Sequence, residues 1–579
     1  MKLQRTIFTK THAIGYPNYW DIAALILVFA IIVLFTIGAR QMSAVYHIGE
    51  TIPISLNPEH LPNYALRTIM RMFIAMFISL LFTFVFGTLA AKSKHAERII
   101  IPMVDILQSV PILGFLAISV PAFIALFPNS ILGPECAAIF AIFTSQAWNM
   151  LMGFYQSLRT VPLELKEVAD MYHLSPWQRY WRVEVPMTIP SLLWNMMLSM
   201  SAGWFFVVAS EAITVANKTI MLPGVGSYIA VAIQQKDVHA IFYAIIAMLI
   251  VILLYDQLIF RPLIAWSEKF KADVGEDDVE PESWLVDLLR KTRWMRKIGE
   301  GLLQLRDTLV NLNLLQYKPQ TAYSKPVNKH MYVTLLAAWY LALFIAIGFS
   351  AWIFINFVLE TLRWNEVLHV FGLGIYTAIR VTILITLASL IWVPVGVWVG
   401  MRPRARALIQ PVAQFLAAFP ANLLFPLVVI VILKFHLNVE IWTSPLMVLG
   451  TQWYILFNVI AGATTLPKEL NQVSNLFGVK KWLRWRTMIL PAIFPYFITG
   501  AMTAAGGAWN ASIVAEVVSW GDVTLRATGL GAYITEATTA GHTAQTALGI
   551  VVMCIFVLLI NRLLWKPLYA LAEERFHIE

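Results

Sequence analysis

Val161 to Pro190 reads VPLELKEVADMYHLSPWQRYWRVEVPMTIP, and Leu466 to Pro495 reads LPKELNQVSNLFGVKKWLRWRTMILPAIFP. A constant shift of 305 (467 − 162) lays Pro162 on Pro467, Glu164 on Glu469, Leu165 on Leu470, Val168 on Val473, Trp177 on Trp482, Pro186 on Pro491 and Pro190 on Pro495. The register runs on without a gap to Trp204 and Trp509, Glu211 and Glu516, Gly224 and Gly529, Gly226 and Gly531, and Tyr228 and Tyr533. Upstream, a shift of 309 (380 − 71) pairs Thr68 with Thr377, Arg71 with Arg380, Gly87 with Gly396, Pro102 with Pro411 and Pro111 with Pro420. Apolar text repeats by chance; aligned prolines, glycines and tryptophans over such lengths do not. The chain is a tandem duplication, and a repeat this long means two similar domains rather than a solenoid.

Composition sets the solvent in which those domains fold. Hydrophobic residues make up 59% of the chain and charged residues 13%, with a mean hydropathy of +0.70; a soluble domain carries roughly 25% charged residues. The fold class is therefore all-α and polytopic, with two tandem six-helix domains. Apolar runs long enough to span a bilayer, about 20 residues each, lie near Trp20–Gly38, Leu66–Ala91, Ile100–Leu126, Ala137–Phe154, Pro190–Val215 and Ile241–Ile264 in the first half. The second half offers Met331–Leu359, Ile375–Gly400, Leu408–Leu433, Ile441–Ala463, Ala492–Val518 and Ala547–Trp565. This assigns 1–267 and 331–579 to the two membrane domains and 268–330 to a linker.

The first run follows basic residues (Lys2, Arg5, Lys10) but lacks a small-residue cleavage site, so it reads as a retained anchor. Lys and Arg in the short loops Lys92–Arg98 and Arg402–Arg406, and in both copies of the polar segment, fall on one side if the N-terminus is cytoplasmic. Twelve spans return the C-terminus to that side. The formal charge of +9 then reflects topology and attraction to anionic lipid rather than nucleic-acid binding. Cys136 and Cys554 have no partner spacing for zinc or a redox pair and read as packing residues. The linker carries an acidic stretch (Glu276, Asp277, Asp278, Glu280, Glu282), then Leu and Ile at helical spacing against Arg290, Lys291, Arg293, Arg296 and Lys297. A basic amphipathic helix of this kind commonly lies on the cytoplasmic membrane surface. A tether is the simpler reading, and regulation the alternative.

The repeated segment reads as a short helix-turn-helix. Glu164, Leu165, Val168 and Ala169 support the first helix, Ser175-Pro176 breaks it, Trp177–Val185 resumes and Pro186 is expected to stop it before the next span. Apolar residues exposed on such a helix suit a groove on a partner. At these residues the chain resembles the permease subunits of binding-protein-dependent ABC importers, whose cytoplasmic "EAA" loop has an acidic-Ala-Ala start, a Gly six residues on and a terminal Leu-Pro. Glu167-Val168-Ala169 matches the start and Val185-Pro186 the end of the first copy, with His173 where the family has Gly. In the second copy Gly478 and Leu490-Pro491 match, while Gln472 and Ser474 replace the acidic residue and the second Ala. Each copy departs at a different place, so unequal coupling is expected of the two loops.

The resemblance is to the nitrate, sulfonate and taurine group, carried by VVASEAITVANKTIMLPGVGSYI (Val207–Ile229) and SIVAEVVSWGDVTLRATGLGAYI (Ser512–Ile534). It implies a bacterial or archaeal inner-membrane protein that forms the path for a small anion such as nitrate, sulfonate, taurine or bicarbonate. The partners it implies are two ATP-binding subunits on the cytoplasmic side and an extracytoplasmic substrate-binding protein. ATP and magnesium would sit on those partners: the chain contains no Gly-Lys pair, and a Walker A loop needs GxxxxGK[ST] to cradle phosphate. The loop residues Glu164, Glu167, Ala169, His173, Pro186, Glu469, Gln472, Gly478 and Pro491 are the expected ATPase contacts.

Polar residues inside spans are costly and face a cavity or the bundle interior. Gln108, Gln146, Asn149, Asn195, Gln452, Asn458 and Asn510 are path candidates as a set, because amides can donate to an oxyanion without the desolvation cost of a full charge; singly, interhelical bonding is the competing role. Glu211 and Glu516 stand before Gly224/Gly226 and Gly529/Gly531, where glycines permit close backbone approach. Each Glu is expected to accept backbone N–H bonds of that turn or to meet a cation, with direct substrate contact as the rival. Arg71 and Arg380 either snorkel to headgroups or steer an anion. An ion-coupled secondary transporter and an exporter remain as alternative functions; a membrane enzyme lacks a metal-ligand cluster or nucleophile-base set in this sequence.

Overall fold

The computed structural model describes residues 19–42, 52–108, 110–215, 218–270, 283–312, 329–466, 468–479 and 481–576. The N-terminal basic residues, the acidic stretch of the linker and Pro467 lie outside the described residues. Among those described, nine helices are long and apolar enough to cross a membrane, and eleven spans result if two bent pairs each count as one. The bent pairs are Pro403–Ala418 with Ala421–Lys434, at 76°, and Val439–Leu449 with Gln452–Thr464, at 46°. The remaining run expected of the twelve, Ile100–Leu126, is divided into helices Lys94–Leu107 and Ile112–Leu126. Its break and the 76° bend fall at the paired prolines Pro111 and Pro420, whose ψ angles of 124° and 107° are extended. A proline has no N–H to continue the preceding helical ladder, and here each stands as the N-cap of the helix that follows.

Small residues set the packing of the continuous helices. Ala137, Ala138, Ala141 and Ala147 are wholly buried on Leu132–Arg159, and Ala501, Ala504 and Ala508 on Leu490–Ala515. In lipid, where apolar burial alone does not drive association, such residues let helix backbones come close enough for dispersion contacts.

Compact packing divides the chain into two units that do not coincide with the halves of the duplication. One contains the described parts of Met1–Ala39, Val161–Leu193 and Tyr255–Gln320; the other contains those of Arg40–Thr160, Trp194–Leu254 and Thr321–Glu579. In the larger unit the two membrane bundles are joined by matching bonds. Asn422 Nδ2 donates to the Phe205 carbonyl at 3.1 Å, and Ile112 N–H donates to Asn510 Oδ1 at 2.7 Å. Ile112 corresponds to Ala421, next to Asn422, and Phe205 corresponds to Asn510, so the acceptor position is shared by the two halves while the donor is shifted by one residue.

Candidate functional site

Three regions concentrate polar or exposed chemistry. The first is a pair of Arg–Glu clusters, one per half. Arg71, on helix Leu61–Phe82, grips Glu135 with two bonds, Nε at 2.5 Å and Nη2 at 2.7 Å, and Glu211 with Nη1 at 2.5 Å; Nη2 also reaches the Pro223 carbonyl at 3.0 Å. Glu211 further accepts the Thr68 hydroxyl at 2.7 Å and the Gly226 N–H at 2.6 Å. Arg71 and Glu211 are wholly buried and Glu135 is 1% exposed. A buried charge survives only when paired and hydrogen-bonded, and here the guanidinium fork meets a carboxylate on each of its nitrogens. Snorkelling and anion steering are both excluded for Arg71, because its charge is spent inside the protein.

The second half repeats the arrangement more openly. Arg380 bonds Glu516 at 2.9 Å and Glu440 at 2.7 Å, and Glu516 accepts Thr377 Oγ1 and Ala532 N–H, each at 2.9 Å. Glu516 is buried, but Glu440 is 43% exposed and also accepts both the N–H and the hydroxyl of Thr528. Glu135 and Glu440 correspond under the shift of 305 (440 − 135), and reasoning from polar residues within spans passes over them; a carboxylate repeated at matching points beside apolar runs is the signal that finds them. Gly224 and Gly529 have extended backbones, so conformation does not demand glycine there. Space does: a Cβ would stand 2.3 Å from the Glu211 carboxylate and 2.2 Å from that of Glu516. Gly226 and Gly531 likewise lie against backbone, at Val208 and Ser512. After each Glu the chain forms an antiparallel hairpin, Ala212–Val215 with Lys218–Met221 and Val517–Trp520 with Val523–Arg526.

The second region is the duplicated polar segment. Helices Leu163–Met171 and Lys468–Leu476 each close in a Schellman turn, Leu174 N–H to the Ala169 carbonyl at 3.0 Å and Val479 N–H to the Ser474 carbonyl at 2.9 Å. The left-handed residue of that turn is His173 (φ +52°) in one copy and Gly478 (φ +65°) in the other. His173 thus occupies the glycine position in glycine's conformation. Ala169 and Ser474 are both buried beneath the turn, which a small side chain allows. Exposed at matching points stand Met171 (79%) and Tyr172 (69%), and Leu476 (85%) and Phe477 (81%). Glu164, Glu167 and Gln472 are also exposed; Glu469 lies on the second helix.

Pro186 and Pro491 do not stop the chain as expected. A π-helical turn, Tyr180–Glu184 or Trp485–Ile489, precedes each, and the helix runs on through Val185–Glu211 or Leu490–Ala515. The wider i→i+5 turn passes the proline without a broken ladder.

The third region is a small cavity of about 60 Å³ where the halves meet, lined by Ser201, Phe205, Phe206, Phe419, Thr451 and Tyr454 among others. Asn510 joins the halves through Ile112. Gln146 packs its amide on Met72 and Met200 sulfurs, Asn149 donates to the Asn195 carbonyl and Ser199, Gln452 bonds Trp392 and Asn458 bonds Tyr454 of its own helix. Gln108 caps helix Lys94–Leu107 at the break. None of the seven amide residues is among those lining the cavity.

The sequence matches the family described as binding-protein-dependent transport system inner membrane component, over residues 83–260 and again over 392–575. The chain belongs to that family. As such an inner membrane component it is a multi-pass transport permease subunit, and the family matches once in each half of the duplication. It is similar to the bicarbonate transport system permease protein CmpB of Synechococcus elongatus, 28% identical over 179 residues, which is 31% of this chain and 60% of CmpB. It is similar to the glycine betaine/carnitine transport permease protein GbuB of Listeria monocytogenes, 29% identical over 173 residues, covering 30% of this chain and 56% of GbuB. The nitrate import permease protein NrtB of a Synechocystis species is 24% identical over 230 residues, 38% of this chain and 78% of NrtB. The chain thus spans 60% and 56% of the length of the first two of these relatives.

Proposed function

We propose that this chain supplies both membrane halves of an ABC importer that takes up a small anion of the bicarbonate, nitrate or sulfonate kind. Two ATPase subunits dock on the cytoplasmic side, where both termini also lie, and a substrate-binding protein delivers from outside. ATP and magnesium are held by the ATPases, and this chain holds no cofactor. The observation that carries the reading is the repetition, in both halves, of an exposed apolar pair at a Schellman turn: Met171 and Tyr172, Leu476 and Phe477. In the second half the helix that starts at Trp482 runs to Ala515, 34 residues, about 51 Å, and leads directly into Glu516. A push on the docking end therefore reaches the Arg380 cluster through one rod, as alternating access by rocking halves requires.

A second reading of the substrate rests on the cavity. Phe205, Phe206, Phe419 and Tyr454 line it with aromatic rings, and such rings favour a quaternary ammonium group, as in the betaine named for GbuB. Proteoliposomes holding this chain, its ATPases and its binding protein test both, with labelled bicarbonate, nitrate, a sulfonate and glycine betaine as the panel. ATP-dependent accumulation of an anion supports the first reading and of betaine alone the second. Uphill transport by the chain without ATPase would sink both.

A further inference from the structure

Helix Arg293–Val310 of the linker ends at Asn311, and that end is bonded to the first coupling segment. Trp177 Nε1 donates to the Leu309 carbonyl at 3.4 Å, while Gln178 Nε2 and Arg182 Nη2 both donate to Asn311 Oδ1, at 3.1 and 3.0 Å. At its other end the linker meets the N-terminal helix. Lys291 Nζ stands 5.4 Å from the centre of the Trp20 ring, and Thr292 and Ile298 share a cavity wall with Asp21, Ala24 and Leu25 of helix Tyr19–Met42. The 18 residues of the linker helix extend about 27 Å, so one rigid element joins the N-terminal helix to the second helix of the first coupling segment.

The contact leaves Met171 and Tyr172 uncovered, so the linker does not compete for the apolar pair. The second segment carries different side chains at the bonded positions. Under the shift of 305 (482 − 177), Trp177, Gln178 and Arg182 correspond to Trp482, Leu483 and Thr487. The Leu483 side chain has no donor to offer an amide oxygen, and the Thr487 hydroxyl donates to the Leu483 carbonyl of its own helix at 2.8 Å. Trp482 is 70% exposed, whereas Trp177 is half-buried.

We propose that the linker is a strap that braces the first coupling segment and not the second, so that the chain offers its ATPases one braced seat and one free seat. The proposal rests on the docking reading above. An ATPase that moves the first segment moves the N-terminal helix with it; one that moves the second segment moves its own membrane helix, Trp482–Ala515, without drawing on the linker.

Hydrogen–deuterium exchange on the full chain in nanodiscs, with and without the ATPases, tests this. Residues 176–184 are expected to exchange about tenfold more slowly than 481–489, the effect of two or three net hydrogen bonds. Asn311→Ala removes the shared acceptor and should raise exchange in 176–184 about tenfold while leaving 481–489 unchanged. Gln178→Ala with Arg182→Ala should do the same from the other side of the contact. Equal exchange in the two native segments, or no response to either variant, overturns the strap. Retained asymmetry after Asn311→Ala in the ATPase-bound assembly overturns the linker as its cause. ATPase capture is scored separately: if no ATPase binds while the exchange difference and its loss are observed, the docking reading fails and the strap stands.

Discussion

Replacing Arg71 by Ala removes the cation that two buried carboxylates share. Arg71 makes three bonds to Glu135 and Glu211 and a fourth to Pro223, and none of the three charged side chains exposes more than 1% of its surface. Breaking a buried ion pair by removing one partner costs about 3–5 kcal/mol, because the other charge is left without compensation. Two such charges remain here, with Thr68 and Gly226 still donating to one of them, which places the expected loss near the top of the range, about 5 kcal/mol. Arg380→Ala is the control built into the duplication. Its Glu440 partner is 43% exposed and can rehydrate, so the loss should stay near the bottom of the range, about 3 kcal/mol. The difference of about 2 kcal/mol is more than tenfold in the unfolding equilibrium. Denaturant titration in mixed micelles, followed by tryptophan emission, measures both midpoints against wild type. Equal losses for the two variants, or a larger loss for Arg380→Ala, would refute the reasoning from burial.

Three further outcomes are expected. His173→Gly should stabilise the chain by about 1 kcal/mol by relieving a left-handed backbone, and Gly478→Ala should destabilise it by a similar amount, both read by the same titration. Gly529→Ala drives a methyl to 2.2 Å from the Glu516 carboxylate and should cost about 1–3 kcal/mol; Gly372, where an added methyl would meet no atom within 4 Å, should accept Ala without loss. The hairpin tip of the second half is tied to the first by Gly521 N–H on the Ile233 carbonyl, at 2.9 Å, and by Lys236 on Asp522, at 3.0 Å. The hydrogen bond from Lys236, and then its charge, hold the Asp522 carboxyl below the ordinary aspartate range. The Lys236–Asp522 part of the tie is therefore complete above that range and is lost as pH falls through the lowered value, while the backbone bond from Gly521 does not titrate. Spin labels at Gln235 and Val523 should report a short distance at neutral pH that lengthens only in strong acid, and Asp522→Asn should abolish the transition.

The sequence alone determined the duplication, the helical membrane class and the positions of the two repeated polar segments, because each is written in local constraints. Prolines, glycines and tryptophans repeat at a fixed shift, apolar runs have bilayer length, and Ser175-Pro176 and Gly478 dictate turns through their own backbone chemistry. Even so, local reasoning about Pro186 misses the π turn before it, since the accommodation lies in the preceding residues rather than in the proline. The tertiary structure alone decided what Glu211 and Glu516 meet. Arg71 is 140 residues from Glu211 and Glu135 is 64 from Arg71, and no periodicity reports a charge balance closed across helices. It also decided that the amides of Gln146, Asn149 and Gln452 serve their neighbours, and that Asn311 of the linker holds one copy of the repeated polar segment. Such pairings follow from the cost of leaving polar groups unmet in a medium without water, and that cost is assessed only once the helices are side by side.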